Sequence, residues 1–310
     1  MKEKTISIMG SRKTKSVVET SAQVIFTVCA LAALIAVVAI TLYMVISGAP
    51  ALTEVGIKEI LFSTVWAPSA ADPQYGILLM ILTSIVGTFL AICIGVPIAV
   101  LTAVFLSEIG NKRITKIVKP AVELLAGIPS VVYGLLGILL ICPMMYKLEQ
   151  FVFADSQTHQ FTGGANLFSA ILVLAIMILP TVINISETAL RAVPQHYRAS
   201  SLALGATKIQ TIFKVVLPSA KSGILTAIVL GTGRAIGEAM AILLVAGNAV
   251  NAPQFFNSVR FLTTGIVSEM SYASGIHREV LFTIGLVLFL FIMVINIILN
   301  IILKKGAQQS

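Results

Sequence analysis

YRASSLALGATKIQTIFKVVLP, residues 197–218, lies between two strongly apolar runs and reads as two short helices hinged at a glycine. From about Gln195 to Leu204 the composition favours helix, Gly205 allows a left-handed stop, and Thr207 can cap the second helix. Pro194 closes the helix that precedes this segment. A basic, hinged unit of this kind between two apolar runs is a rigid knob that another protein can grip. The plainer alternative is an ordinary basic loop.

The flanking chain says which solvent the knob stands beside. Charged residues are 11% of the 310, and the apolar set with tyrosine and cysteine is 57%. A soluble globular chain carries roughly 25% charge, and so few charges could not cover the surface of a water-soluble domain. That excludes a cytosolic enzyme, a disordered tail and a secreted disulfide scaffold. The uncharged stretches are 34 residues between Glu19 and Glu54, 35 between Asp72 and Glu108, 23 between Glu123 and Lys147, 31 between Asp155 and Glu187, and 24 between Glu279 and Lys304. Each holds an apolar run long enough for about 20 helical residues, the length that crosses roughly 30 Å of hydrocarbon. A sixth run, Gly223–Val245, is as apolar but contains Arg234 and Glu238. The expectation is an all-α integral membrane protein with six transmembrane helices, at 22–46, 77–106, 118–144, 166–185, 222–246 and 279–303. Only helices or closed barrels satisfy the backbone in lipid, and these runs are too long for barrel strands.

The first run follows a basic tail, yet at about 25 residues it exceeds the roughly 7–15 of a cleavable leader and reads as a retained anchor. With the N-terminus inside, 16 Lys and Arg fall on inner segments and 4 on outer loops, with Arg234 in mid-membrane. That asymmetry places both termini in the cytoplasm. The net charge of +8 is then mostly topology, and nucleic acid is not needed to explain it. The organisation expected is a cytoplasmic tail 1–21, a six-helix domain 22–305 with an inner loop 186–221, and a cytoplasmic tail 306–310.

The outer loops are 47–76, 145–165 and 247–278. Trp66, the only tryptophan, is expected in an interfacial aromatic belt beside the turn formers Asp72 to Gly76. Val259, Leu262, Ile266, Val267 and Met270 recur at helical spacing, as in a short amphipathic helix on the membrane surface or against other spans. Cys29, Cys93 and Cys142 all fall in spans, match no metal spacing and read as packing residues. No metal site is expected.

Charges inside a span cost roughly 2.5–3.5 kcal/mol each on insertion scales and are functional candidates by default. Arg234 and Glu238 are four apart on one face of the fifth span, where they can pair. Such a pair is either a structural lock or an anion site, with Arg234 meeting the substrate and Glu238 holding the guanidinium, whose planar fork of donors suits phosphate oxygens. Around it runs Gly231-Thr232-Gly233-Arg234-Ala235-Ile236-Gly237. This is no dinucleotide fingerprint, and Gly233 with Gly237 forms a small-xxx-small pair suited to close packing. Glu123 precedes Gly127-Ile128-Pro129-Ser130, where proline interrupts the helix; a snorkelling carboxylate is the simpler reading of Glu123. Ser130 and Tyr133 either line a pathway or bond to helix backbone.

No zinc-protease or serine-hydrolase motif occurs, and His159, His196 and His277 are scattered through loops. No phosphate-cradling Gly-x-x-x-x-Gly-Lys-Ser/Thr motif occurs either. Two classes therefore compete, an ATPase-driven half-transporter and a secondary transporter driven by an ion gradient.

The spacing of Gly205, nine residues, then Val215, Leu217 and Pro218 resembles the EAA loop of type I ABC-importer permeases. Val215 stands where that family has Ile, and Ala199-Ser200-Ser201 stands where it has Glu-Ala-Ala, so the acidic member is missing. The resemblance implies that this loop, with Tyr197 at its start, is the coupling helix that docks on an ATP-hydrolysing subunit. Leu125 to Gly134 and Gly231 to Ala241, with Leu262 to Ile266 and Gly275 to Glu279, are similar to the PstC family of phosphate-importer permeases over about residues 20–305. The sister family, PstA, typically continues its Arg-x-x-Gly-Glu element with Thr-Ala-Pro, whereas this chain has Ala239-Met240-Ala241. The resemblance implies a bacterial inner-membrane permease subunit. Its partners would be a PstA-like second permease, two PstB-like ATPases that bind ATP and Mg, and a PstS-like phosphate-binding protein outside. This chain would hold no cofactor and catalyse nothing. The implied substrate path is Arg234, Glu238, Thr232, Ser130 and Glu123, carrying phosphate or another oxyanion.

Overall fold

The computed structural model describes the backbone of residues 12–308 and the side chains of 19–298 and 301. The extreme ends of the two expected tails, and the side chains of Arg12, Lys13, Lys15, Lys304 and Lys305, lie outside that description. Among the described residues five helices are long and apolar enough to cross a membrane: Glu19–Phe62, Leu78–Ile109, Ser130–Val152, Leu167–Ala192 and Gly275–Ile298. A sixth crossing is the pair Lys208–Ser219 and Lys221–Ile236, bent by 68°.

Two of the six expected spans need correction. The third, expected at 118–144, is two helices. Lys112–Gly127 ends where Ile128 turns extended (φ −72°, ψ 128°), and Ser130 opens the next helix after Pro129. Proline has no N–H to donate and pushes its predecessor out of the helical region. The membrane-length segment is therefore Ser130–Val152, and the outer loop begins after Val152 rather than at 145. Lys112–Gly127 instead carries Lys112, Arg113, Lys116, Lys119 and Glu123 beside exposed Ile117 and Leu124, an amphipathic helix.

The fifth span, expected at 222–246, stops at Ile236 with Gly237 as its cap and restarts only as Met240–Val245. Gly231, Gly233 and Gly237 each weaken the helix by about 1 kcal/mol relative to alanine, so it breaks where they cluster. Sixteen residues rise about 24 Å, short of the roughly 30 Å hydrocarbon core.

The fourth span is the hub. Asn166 caps it by accepting from the Ser169 N–H, and Leu167, Ile171, Leu174, Ile178 and Leu190 are buried along it. It packs against Leu78–Ile109 on one side and Lys221–Ile236 on the other. The first span lies at the edge, with apolar side chains exposed along much of its length, as lipid-facing surface is. It meets the last helix through the Thr283 hydroxyl, 3.0 Å from the Gly48 carbonyl, and the edge-to-face pair Tyr43–Phe282.

Smaller expectations divide. Cys142 is buried, but Cys29 and Cys93 are exposed on helix surfaces, where lipid serves as well as a protein core. The amphipathic helix of the last outer loop forms as Leu262–Glu269 and packs against Leu78–Val104 and the last helix, with Leu262 buried. Trp66 sits in a short hairpin with Tyr75 opposite, and its indole N–H donates to Glu269 at 3.1 Å.

Candidate functional site

The site is built around two helix breaks that pack together. Met240–Val245, which resumes the fifth span, lies on Ser130–Leu136, which resumes the third. Gly134 makes the approach close: a Cβ there would come within 2.7 Å of a Leu244 methyl and 3.0 Å of the Ala241 Cα. The break at Pro129 leaves carbonyls without helical partners. Tyr133 reaches back across it and donates to the Leu125 carbonyl at 2.7 Å. Of its two readings, the backbone-bonding one is the one the structure shows.

Arg234 occupies the last turn of Lys221–Ile236, about 20 Å above Lys221 at 1.5 Å per residue. It is half-buried and donates from Nη1 to the Thr181 hydroxyl at 3.2 Å. The expected Arg234–Glu238 pair does not form. Because the helix ends at Gly237, Glu238 leaves the face that Arg234 occupies. Its carboxylate accepts from the Ala241 N–H at 2.9 Å, and its carbonyl accepts from the Thr263 hydroxyl at 2.7 Å. Among the described residues Arg234 makes no ion pair. No neighbouring element among the described residues comes within 4 Å of where a Gly233 side chain would stand.

The remaining expected path residues are spread around this point. Thr232 is buried, Ser130 is half-buried at the start of its helix, and Glu123 is exposed on the far side of the Pro129 break. Thr181, just past Pro180 in the fourth span, was not anticipated, since a hydroxyl in an apolar run carries no signal of its own.

The knob is two helices. Gln195–Ala203 is followed by Gly205 at φ +87°, and Lys208–Thr211 then runs on through Ile212–Val216 and Leu217–Ser219. Thr207 forms a reciprocal capping box with Gln210. Ser201 and Thr211 join the two helices at 2.9 Å. Tyr197 and Leu204 are exposed, Leu204 at 89%, so the apolar tip is bare. Ala199 and Ser200 are not among the buried residues, whereas Val216, between Val215 and Leu217, is fully buried at the root.

Two carboxylates, buried Glu187 and half-buried Glu108, tie the knob's end of the bundle together. Glu187 accepts from Arg191 at 2.7 Å and Lys119 at 3.1 Å, while Arg191 also reaches the Leu106 carbonyl. Glu108 receives Arg198 on both oxygens. At the opposite end Glu269 gathers Trp66, Arg260 and His277 (2.7 Å), and fully buried Glu149 gathers Thr162 and His159 (2.9 Å). Sequence reasoning missed all four, because their partners are distant along the chain or unremarkable in it.

Residues 95–305 match the model of the binding-protein-dependent transport system inner membrane component. The chain belongs to that family. It is thus a multi-pass inner-membrane permease component of an ABC transporter. It is 37% identical over 298 residues to the probable ABC transporter permease protein YqgH of Bacillus subtilis, covering 93% of each chain. It is 34% identical over 255 residues, 79% of each chain, to the phosphate transport system permease protein PstC of Pasteurella multocida. With the PstC of Haemophilus influenzae the figures are 31% over 291 residues and 91% of each. An inward-facing structure of the MetNI methionine ABC transporter superposes with a TM-score of 0.51 at 20% identity, over 74% of this chain and 94% of that one. At that identity the likeness is one of fold.

Proposed function

We propose that this chain is the permease subunit of an ATP-driven phosphate importer, and that Arg234 meets the phosphate inside the membrane. The observation that carries the reading is a half-buried guanidinium at the end of a broken span, with a hydroxyl partner and, among the described residues, no carboxylate. An uncompensated cation at that depth is costly unless an anion visits it, and guanidinium is the side chain best shaped for phosphate oxygens. The relatives named as phosphate permeases support the choice of anion. On this reading the knob end is cytoplasmic, in keeping with the excess of Lys and Arg there. The knob docks on an ATPase through Tyr197, Leu204 and the flanks of Gly205. A PstA-like sister, two PstB-like ATPases and a PstS-like binding protein complete the transporter. ATP binding on the partners moves the knob, and the two helix breaks open the path outward. Arg234→Gln should abolish phosphate uptake in vesicles while the complex still copurifies. Uptake at the parent rate would remove Arg234 from the path.

A further inference from the structure

Apart from its continuity with the fourth span through Val193 and Pro194, the knob helix Gln195–Ala203 has little holding it: none of its residues is buried, and Gly205 beyond it faces open space. Ser201 joins that helix to Thr211 of the second knob helix, and Arg198 fastens it to the spans. Arg198 places Nη2 at 2.6 Å from one Glu108 oxygen and Nε at 3.1 Å from the other, a two-pronged grip on the last turn of the second span. The same guanidinium donates to the carbonyl of Val193 at 2.6 Å and to that of Leu190 at 2.9 Å, the end of the fourth span. Both partners are nearly dry, with 14% and 9% of their side chains exposed. Four hydrogen bonds thus draw the knob helix, the second span and the fourth span onto a single group.

We propose that Arg198 is a positioning residue for energy coupling: it makes the second and fourth spans follow the knob when the knob moves. The proposal rests on the reading of the knob as the ATPase-docking element. A motion is passed on only through a connection that favours one arrangement over another. A loop tied to the bundle by its backbone alone could swing on Pro194 and Gly205 without shifting the spans. The fork grip resists that swing, because displacing the knob helix would break a dry, bidentate charge pair and two further hydrogen bonds at once. Lysine cannot substitute, having one compact ammonium where the site uses three nitrogens. The fourth span is also the helix whose Thr181 touches Arg234, so the pin and the candidate anion site share one rigid element.

The test uses the assembled transporter in lipid nanodiscs, with the binding protein loaded with inorganic phosphate. Glu108→Gln removes the charge from outside the docking loop, and Arg198→Lys keeps the charge but loses the fork. Glu108→Gln should leave ATPase copurification at parent stoichiometry and lower the binding-protein-stimulated ATP hydrolysis about tenfold, the size of a typical coupling effect. Arg198→Lys should show the same loss per assembled complex. Stimulation within about twofold of the parent in both variants, or a loss that merely tracks missing ATPase subunits, would overturn the pin. Failure of the parent complex to retain an ATPase or to respond to the loaded binding protein would instead overturn the importer reading beneath it.

Discussion

Arg234 and Glu238 stand one helical turn apart in sequence and serve different helices. Arg234 closes one helix and bonds Thr181 of the fourth span, whereas Glu238 lies past the Gly237 break and accepts from the Ala241 N–H that opens the next. Glu238 is therefore a helix-start acceptor for Met240–Val245, and its backbone carbonyl is held by Thr263. A Gln at 238 keeps an oxygen that accepts the same bond. Glu238→Gln should retain phosphate uptake within about twofold, losing only the few tenths of a kcal/mol that a charge contributes at a helix N-terminus. Glu238→Ala should lose the bond and about 1 kcal/mol of stability, read as a lower melting temperature in detergent. Abolished uptake in the Gln variant would show that the carboxylate charge itself works in the path.

Tyr133 bridges the Pro129 break with a 2.7 Å bond to the Leu125 carbonyl. Tyr133→Phe keeps the ring and removes that donor, leaving the Leu125 carbonyl with the Ile128 N–H alone. The net loss should be about 1 kcal/mol, or a melting temperature lower by about 2 °C for a chain of this size. Uptake should persist, because the hydroxyl is spent on the backbone rather than offered to a solute.

Much of this architecture could be read from the charges alone, and the failures have identifiable causes. The expected third span, 118–144, runs straight through Pro129, but Pro129 decides where the helix starts, shifting the span outward to Val152. Helical spacing predicted an Arg234–Glu238 pair, and it holds only while the helix does; the glycines around Arg234 end it first. The knob was legible in detail, because Gly205 and Thr207 act locally: a positive φ and a capping box need no distant partner. Arg198–Glu108 and Lys119–Glu187 were invisible for the opposite reason, being 90 and 68 residues apart.

Gly205 adopts φ +87° with no neighbouring atom near its missing side chain, so a substitution there meets backbone strain and no clash. Gly205→Ala should cost about 1–2 kcal/mol at the knob, and Gly205→Val more, since a branched side chain is a poorer fit to that conformation. ATPase copurification should fall in the order Gly, Ala, Val. The melting temperature of the membrane core should stay put, because nothing packs on that residue.

Glu187 is 2% exposed and is held by two cations that are themselves about half exposed, Lys119 at 43% and Arg191 at 53%. Either cation can turn to water when the other remains, so the solvent-screened share of each contact is small. Lys119→Ala and Arg191→Ala should each cost about 1 kcal/mol or less. The double variant leaves a buried carboxylate with no countercharge, a situation that destabilises by about 3–5 kcal/mol. A double-mutant cycle on thermal or denaturant unfolding should therefore be strongly non-additive, the pair exceeding the sum of the singles. Adding Glu187→Gln to the double variant should return most of that loss, since an amide tolerates burial without a cation. If the two singles simply add, Glu187 has another partner and this end of the bundle is held some other way.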